Sequence, residues 1–164
     1  MAVQAKNFKS LTDTEIKAFE ERNKLKIPQN FIGFLHRYNG STPETNSFEK
    51  TYSVNNFIEL SKFKEELPNE LNIKDFLPFA EDGCGNYFLL RLHDGAIIFW
   101  DHEIEEPDSL QKIANNITEF DKKLIRDEEN INDIISKNDV TFKKKWIDPD
   151  FEREMIEKGL MNKK

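Results

Sequence analysis

The chain predicts an α+β fold: an antiparallel meander sheet with an N-terminal helix pair and C-terminal helices packed on it, as a single domain. Three observations predict it. Residues 76–103 read FLPFAEDGCGNYFLLRLHDGAIIFWDHE, two apolar runs closed by Asp94-Gly95 and preceded by a glycine-rich turn. Upstream, apolar residues recur at helical spacing between capping residues. Downstream, Leu110, Ile113, Ile117, Phe120 and Leu124 follow at steps of three and four, which predicts one amphipathic helix.

The first helix opens at Thr12. Thr12 and Glu15 stand in the capping-box relation, each able to satisfy an orphan amide of the first turn. Ile16 and Phe19 then share a face. Pro28, with its φ already near the helical value, suits the start of a second helix. There Phe31, Phe34, Leu35 and Tyr38 form one apolar stripe, and Asn39-Gly40 ends it. Residues 41–47 are polar and contain Pro43, so they predict a loop. Residues 48–60 have room for one or two short strands, and 59–70 for a helical turn before Pro68.

The meander follows, with strands expected at 76–80, 87–92 and 96–102 around a turn at 81–86. A two-residue type I′ turn at Asp94-Gly95 would pair Leu92 with Ile97, Leu90 with Phe99 and Phe88 with Asp101. Phe88, Leu90, Leu92, Ile97 and Phe99 then share the core face. The other face holds Tyr87, Leu89, Arg91, Ile98, Trp100 and His102, a mixed surface either half covered or open to a partner. Residues 127–135 extend the Leu110–Leu124 helix or start another. Asp148, Pro149 and Gly159 bracket a short helix near the C-terminus.

Composition bounds the function. The chain has 164 residues with 37% hydrophobic content and 14 Phe, enough for an aromatic core without disulfide or metal. Its 24 Lys and Arg stand against 31 Asp and Glu, a formal net of −7. That charge repels nucleic acid and anionic membranes and favours solubility or a basic protein partner. The single Cys84 suits a reducing compartment. The start lacks a signal-like apolar core, and the longest apolar run is far short of the ~20 residues that span a bilayer. The expected location is the cytoplasm.

Three blocks resemble the SUKH superfamily, the domain of bacterial toxin-immunity proteins and of a fungal cell-wall-assembly regulator. They are Leu25-Lys26-Ile27-Pro28 after the first helix, Tyr38-Asn39-Gly40 ending the second, and Phe79-Ala80-Glu81-Asp82-Gly83 with Gly85-Asn86, Asp94-Gly95 and Phe99-Trp100-Asp101-His102-Glu103. With the following helix the resemblance covers residues 10–125, leaving 126–164 as a partly helical extension. It departs from the family pattern in lacking a Trp near the first helix. The resemblance implies a non-enzymatic protein-binding domain, an immunity protein that neutralises a cognate toxin, with a basic nuclease domain as one such toxin. The alternative it implies is a regulatory or scaffold protein.

The residues themselves argue against catalysis. Cys84 lies in a turn between acids, and a nucleophilic thiolate needs a base and an electropositive setting. The glycines of that turn lack the lysine and following helix of a phosphate loop. Asp101, His102, Glu103, Glu105 and Glu106 include potential metal ligands, but neighbours on a strand point to opposite faces. No catalytic residue, metal or cofactor is therefore expected. Lys143-Lys144-Lys145-Trp146 is one short basic run in an acidic chain and reads as a solvated linker. The candidate partner-binding residues are Glu81, Asp82, Tyr87, Arg91, Trp100, Asp101, Glu103, Glu105 and Glu106.

Overall fold

In the computed structural model, residues 5–105 and 108–125 are described, all within one unit that spans Met1–Asp127. The helices expected near residues 127–135 and 148–159 lie outside the described residues. After strand β1 (Ala5–Lys6), helix α1 runs Asp13–Asn23. Its capping box is formed: Thr12 Oγ1 accepts from the Glu15 amide at 3.3 Å, and the Thr12 amide donates to Glu15 Oε2 at 2.8 Å. Lys24 ends the helix in the left-handed conformation. Helix α2 (Gln29–Tyr38) follows Pro28 and buries Phe31, Phe34, Leu35 and Tyr38, the predicted stripe.

Asn39 does more than terminate α2. It is 2% exposed, and its Oδ1 accepts from the Leu60 amide at 2.8 Å while its Nδ2 donates to the Lys9 carbonyl at 3.2 Å. One buried amide thus ties the N-terminal segment, the end of α2 and the start of the 60s together. Gly40 takes φ +64°, which an L side chain disfavours.

Between α2 and the meander, the chain forms short strands β2 (Thr42–Pro43), β3 (Ser47–Phe48), β4 (Tyr52–Ser53) and β5 (Asn56–Phe57). The 41–47 loop thus carries paired residues at both ends, and 48–60 holds more strands than predicted. A 3-10 turn, Leu60–Lys62, leads into α3 (Phe63–Glu66), the helical turn expected before Pro68. The meander proper is β6 (Phe76–Glu81), β7 (Tyr87–Arg91) and β8 (Ile97–Trp100), continued by β9 (Leu110–Ala114). Helix α4 (Ile117–Lys123) and β10 (Leu124–Ile125) complete the described chain.

The main sheet is five-stranded and antiparallel in the order β5-β6-β7-β8-β9. The remaining strands form a smaller sheet, β10-β3-β4, and a β1-β2 pair. Pro78 pairs with Leu89 of β7 and lies outside the pairs β5 makes with Ala80 and Glu81, a one-sided position where a residue without an N–H is tolerated. The register with β7 shifts beside it, between Pro78 and Ala80.

Two expectations are corrected. The hairpin register is Leu90 with Ile97 and Phe88 with Phe99, not Leu90 with Phe99. The loop is longer than two residues: the Gly95 amide donates to the Arg91 carbonyl, and the Arg91 amide to the Ala96 carbonyl, both at 2.9 Å. The error is two positions, an even number, so each side chain keeps its predicted face. Phe88, Leu90, Ile97 and Phe99 accordingly lie in the main core, with Leu92 packed at its margin.

The second correction concerns the helix predicted over Leu110–Leu124. Its first third is strand β9. Lys112 pairs with Ile98 and Ala114 with Ile97, leaving Ile113 as the extra residue of a bulge. Leu110 and Ile113 stand three apart, an odd step that alternates faces along a strand yet matches one step of a helical stripe. Leu110 packs on one sheet face and Ile113 on the other, as no single helical stripe would allow. The helix begins only after Asn116, whose Oδ1 caps the Glu119 amide at 2.9 Å, while Glu119 Oε2 accepts from the Asn115 amide at 2.8 Å.

The core is dominated by phenylalanine. Phe31, Phe34, Phe48, Phe63, Phe79, Phe88 and Phe120 are each under 2% exposed. Phe48 stacks on Phe120 at 5.0 Å, and Phe34 meets Phe57 edge-on at 5.2 Å, geometries that the ring quadrupole favours. Among the described residues no helix is long and apolar enough to cross a membrane.

Candidate functional site

The sheet face away from this core is the candidate site. Strand registers place Asn56, Glu81, Tyr87, Trp100 and Leu110 side by side in one row across all five strands. Pairs directly opposite each other in an antiparallel sheet point to the same face. Beside this row, Leu89, Ala96 and Ile98 form a small second core, covered by Leu67, Leu71 and Phe76. The mixed face is therefore half covered. The segment that supplies Leu67 and Leu71 shields its middle, and the Tyr87–Trp100 row stays partly exposed along one margin.

Tyr87 and Trp100 are the centre of that margin. Their rings lie 6.1 Å apart, and the His102 ring follows Trp100 at 6.4 Å. The Tyr87 hydroxyl donates to Glu66 Oε2 at 3.1 Å. Burial, this bond and the charges of Glu66 and Glu81 together raise the phenol above its ordinary pKa, so the ring keeps its proton.

The glycine-rich turn before β7 is held by its own acids. Asp82 Oδ1 accepts from the amides of Cys84 at 2.7 Å and Asn86 at 3.1 Å, and Asp82 Oδ2 from Asn86 Nδ2 at 2.7 Å. Glu81 accepts from the Gly83 amide and from the side-chain amides of Asn55 and Asn56. These carboxylates occupy the donors that an external anion would need. Gly83 and Gly85 both take positive φ, +82° and +102°. A side chain at Gly85 would also meet the His102 ring at 3.1 Å.

After Trp100 the chain leaves the strand sooner than predicted. Asp101 Oδ1 accepts from the Glu103 amide at 2.9 Å, an Asx turn that ends β8. Glu103, Ile104 and Glu105 follow and are exposed, Ile104 to 47%. Glu106 lies outside the described residues. Among the described residues, Glu66, Glu81, Asp101, Glu103 and Glu105 have no lysine or arginine at ion-pair distance. Glu59, by contrast, is held by Lys9 at 2.6 Å and Asp121 by Arg37 at 3.1 Å.

The predicted residues thus divide. Glu81, Tyr87 and Trp100 come together in the row, with Asp101, Glu103 and Glu105 in the turn that continues from it. Asp82 is committed to the turn it shapes. Arg91 is on the same face but at the far end of β7, where Asp94 binds it twice, at 2.7 and 3.0 Å. That bidentate bond, chief among several causes, holds the Asp94 carboxyl well below the usual range. His93 belongs to this distal loop, at the opposite end of the hairpin from Cys84 and His102. Cys84 is exposed and free. Among the described residues, no group of three or more His, Cys, Asp or Glu is arranged to hold a metal.

Three site residues escaped the sequence reading. Glu66 becomes part of the site only through its bond to Tyr87, 21 positions away. Leu110 closes the row but was assigned to a helix. Ile104 is an apolar residue in an acidic run, legible in hindsight as an exposed contact. The Leu67/Leu71 pair, four apart around Pro68, was the available sign that this segment covers an apolar surface.

Comparison with known proteins fits this architecture. Over 138 residues, 66% of this chain and 72% of the relative, it is 24% identical to an SPbeta prophage-derived uncharacterized protein, YokK, of Bacillus subtilis (strain 168). Residues 10–123, which contain helices α1 to α4, the meander and the aromatic row, match the model of the SMI1 / KNR4 family (SUKH-1). The chain belongs to that family, within the SUKH superfamily.

Proposed function

We propose that this protein is a non-enzymatic immunity protein that acts in the cytoplasm by binding a cognate basic toxin domain and covering its working surface. Family membership supports the class, because SUKH proteins include toxin-immunity proteins. The observation that carries the reading is the Tyr87–Trp100 margin, with carboxylates that no cation of the described chain neutralises. Unpaired acids speed encounter with a basic partner, and half-buried aromatic rings retain it once docked. The same acids disfavour nucleic acid and anionic lipid as ligands.

The test is protection from killing. The product of the neighbouring open reading frame is first expressed alone to score its toxicity and then co-expressed with the chain, and growth is compared with a Trp100→Ala, Asp101→Asn, Glu103→Gln triple variant. Wild type should restore growth and bind the purified toxin domain, and the triple variant should lose both. Full protection by the triple variant would overturn the site. Absence of any toxin binding by the wild type would overturn the function in favour of a regulatory or scaffold role.

A further inference from the structure

The aromatic margin has a more specific chemistry than general acidity. Tyr87 and Trp100 present partly exposed ring surface on adjacent strands. Glu66 reaches Tyr87 from outside the sheet and uses one oxygen, Oε2, to accept the phenol. Its other oxygen has no partner among the described residues. Glu81, next in the row, adds negative charge, but its oxygens already accept three N–H groups. A ligand entering here meets the Tyr87 and Trp100 rings, with Glu66 bonded to the Tyr87 hydroxyl and Glu81 paired with Tyr87 across the sheet.

We infer that this margin is the seat of an arginine side chain from the partner, its guanidinium stacked on Trp100 and hydrogen-bonded to Glu66. The inference rests on the binding-protein reading and names the group that would anchor the complex. A guanidinium is planar and weakly hydrated, so it stacks on an indole and still directs N–H groups at a carboxylate in its plane. A lysine ammonium is compact and strongly hydrated, and it satisfies the charge but not the flat surface. Of the nearby cations, Lys9 is held by Glu59 and Arg91 by Asp94, while Lys62 lines the same cleft as Glu66 and Glu81 without reaching ion-pair distance of either.

The experiment follows the indole N–H signal of Trp100 by NMR in a Trp146→Phe background, titrating hexa-arginine and hexa-lysine peptides at low salt. Hexa-arginine should shift this signal and bind at least about fivefold more tightly than hexa-lysine, the scale of one cation–π contact. Glu66→Gln, which can still accept from Tyr87, should erase most of that preference, whereas Glu49→Gln on another surface should leave it intact. Equal binding of both peptides, or an arginine preference that survives Glu66→Gln, would overturn the arginine seat. Toxin protection that persists alongside such a result would leave the immunity reading standing. An arginine preference without any toxin binding would leave the seat and remove the immunity reading.

Discussion

Asn86 Oδ1 accepts from both the main-chain amide of His102, at 3.1 Å, and the His102 ring Nδ1, at 2.7 Å. The ring tautomer is thereby assigned, since a carboxamide oxygen can only accept. Through this pair the glycine turn before β7 is joined to the chain leaving β8, the two segments that frame Tyr87 and Trp100. Asn86→Ala should destabilise the protein by about 0.5–1.5 kcal/mol, the net worth of a hydrogen bond whose donors water can reach. Urea unfolding measures it, and an unchanged midpoint would show that the turn does not depend on this bond.

Gly85 tests the same junction from the other side. Its φ of +102° is unsuited to an L side chain, and a new Cβ would lie 3.1 Å from the His102 ring. Gly85→Ala should cost about 1–3 kcal/mol in backbone strain alone. Adding His102→Ala removes the steric component only, so the double variant should recover part of the loss in thermal melts. Complete recovery would assign the whole effect to the ring rather than the backbone.

Asn39→Ala should be costly for a different reason. It removes the acceptor of the Leu60 amide inside the protein, and a buried unsatisfied N–H costs about 1–3 kcal/mol. Hydrogen exchange at the Leu60 amide should accelerate more than at amides of β7. Asn39→Asp retains the acceptor but loses the donor to the Lys9 carbonyl and buries a charge, so it should not rescue stability.

The acid limb of stability should depend on Glu119. Its carboxyl is lowered from 4.5 to about 2, first by Lys123 and then by the Asn115 amide groups. A folded-state pKa below the unfolded one contributes stability above pH 4.5, and that contribution is lost as pH falls through the folded value of about 2. Glu119→Gln should therefore lower stability at neutral pH and flatten the decline between pH 4.5 and 2. Parallel pH profiles for wild type and variant would show that the Lys123 contact contributes nothing in solution.

Local features were legible in the sequence wherever neighbours in the chain decide them. The capping box at Thr12, the stripe on α2 and the alternation in β7 and β8 depend on short-range geometry, so reading residues in order suffices. The hairpin pairing was misread by two positions because loop length depends on how Arg91 and Ala96 close it. The face assignment survived because strand side chains repeat every two residues. Strand β9 was misread because Leu110 and Ile113, on opposite faces of the sheet, stand three apart as on a helix, and only pairing with β8 separates the two.

The sequence by itself determined the α+β architecture, the aromatic core and the identity of Tyr87 and Trp100 as residues the core does not absorb. Tertiary structure alone decided which acids stand beside them. Glu66 arrives from α3, Arg91 is carried to the far end of its strand and neutralised by Asp94, and Asp82 turns inward to hold backbone amides. A carboxylate's availability depends on which donors lie within about 3 Å, and most of those donors come from residues distant in the chain.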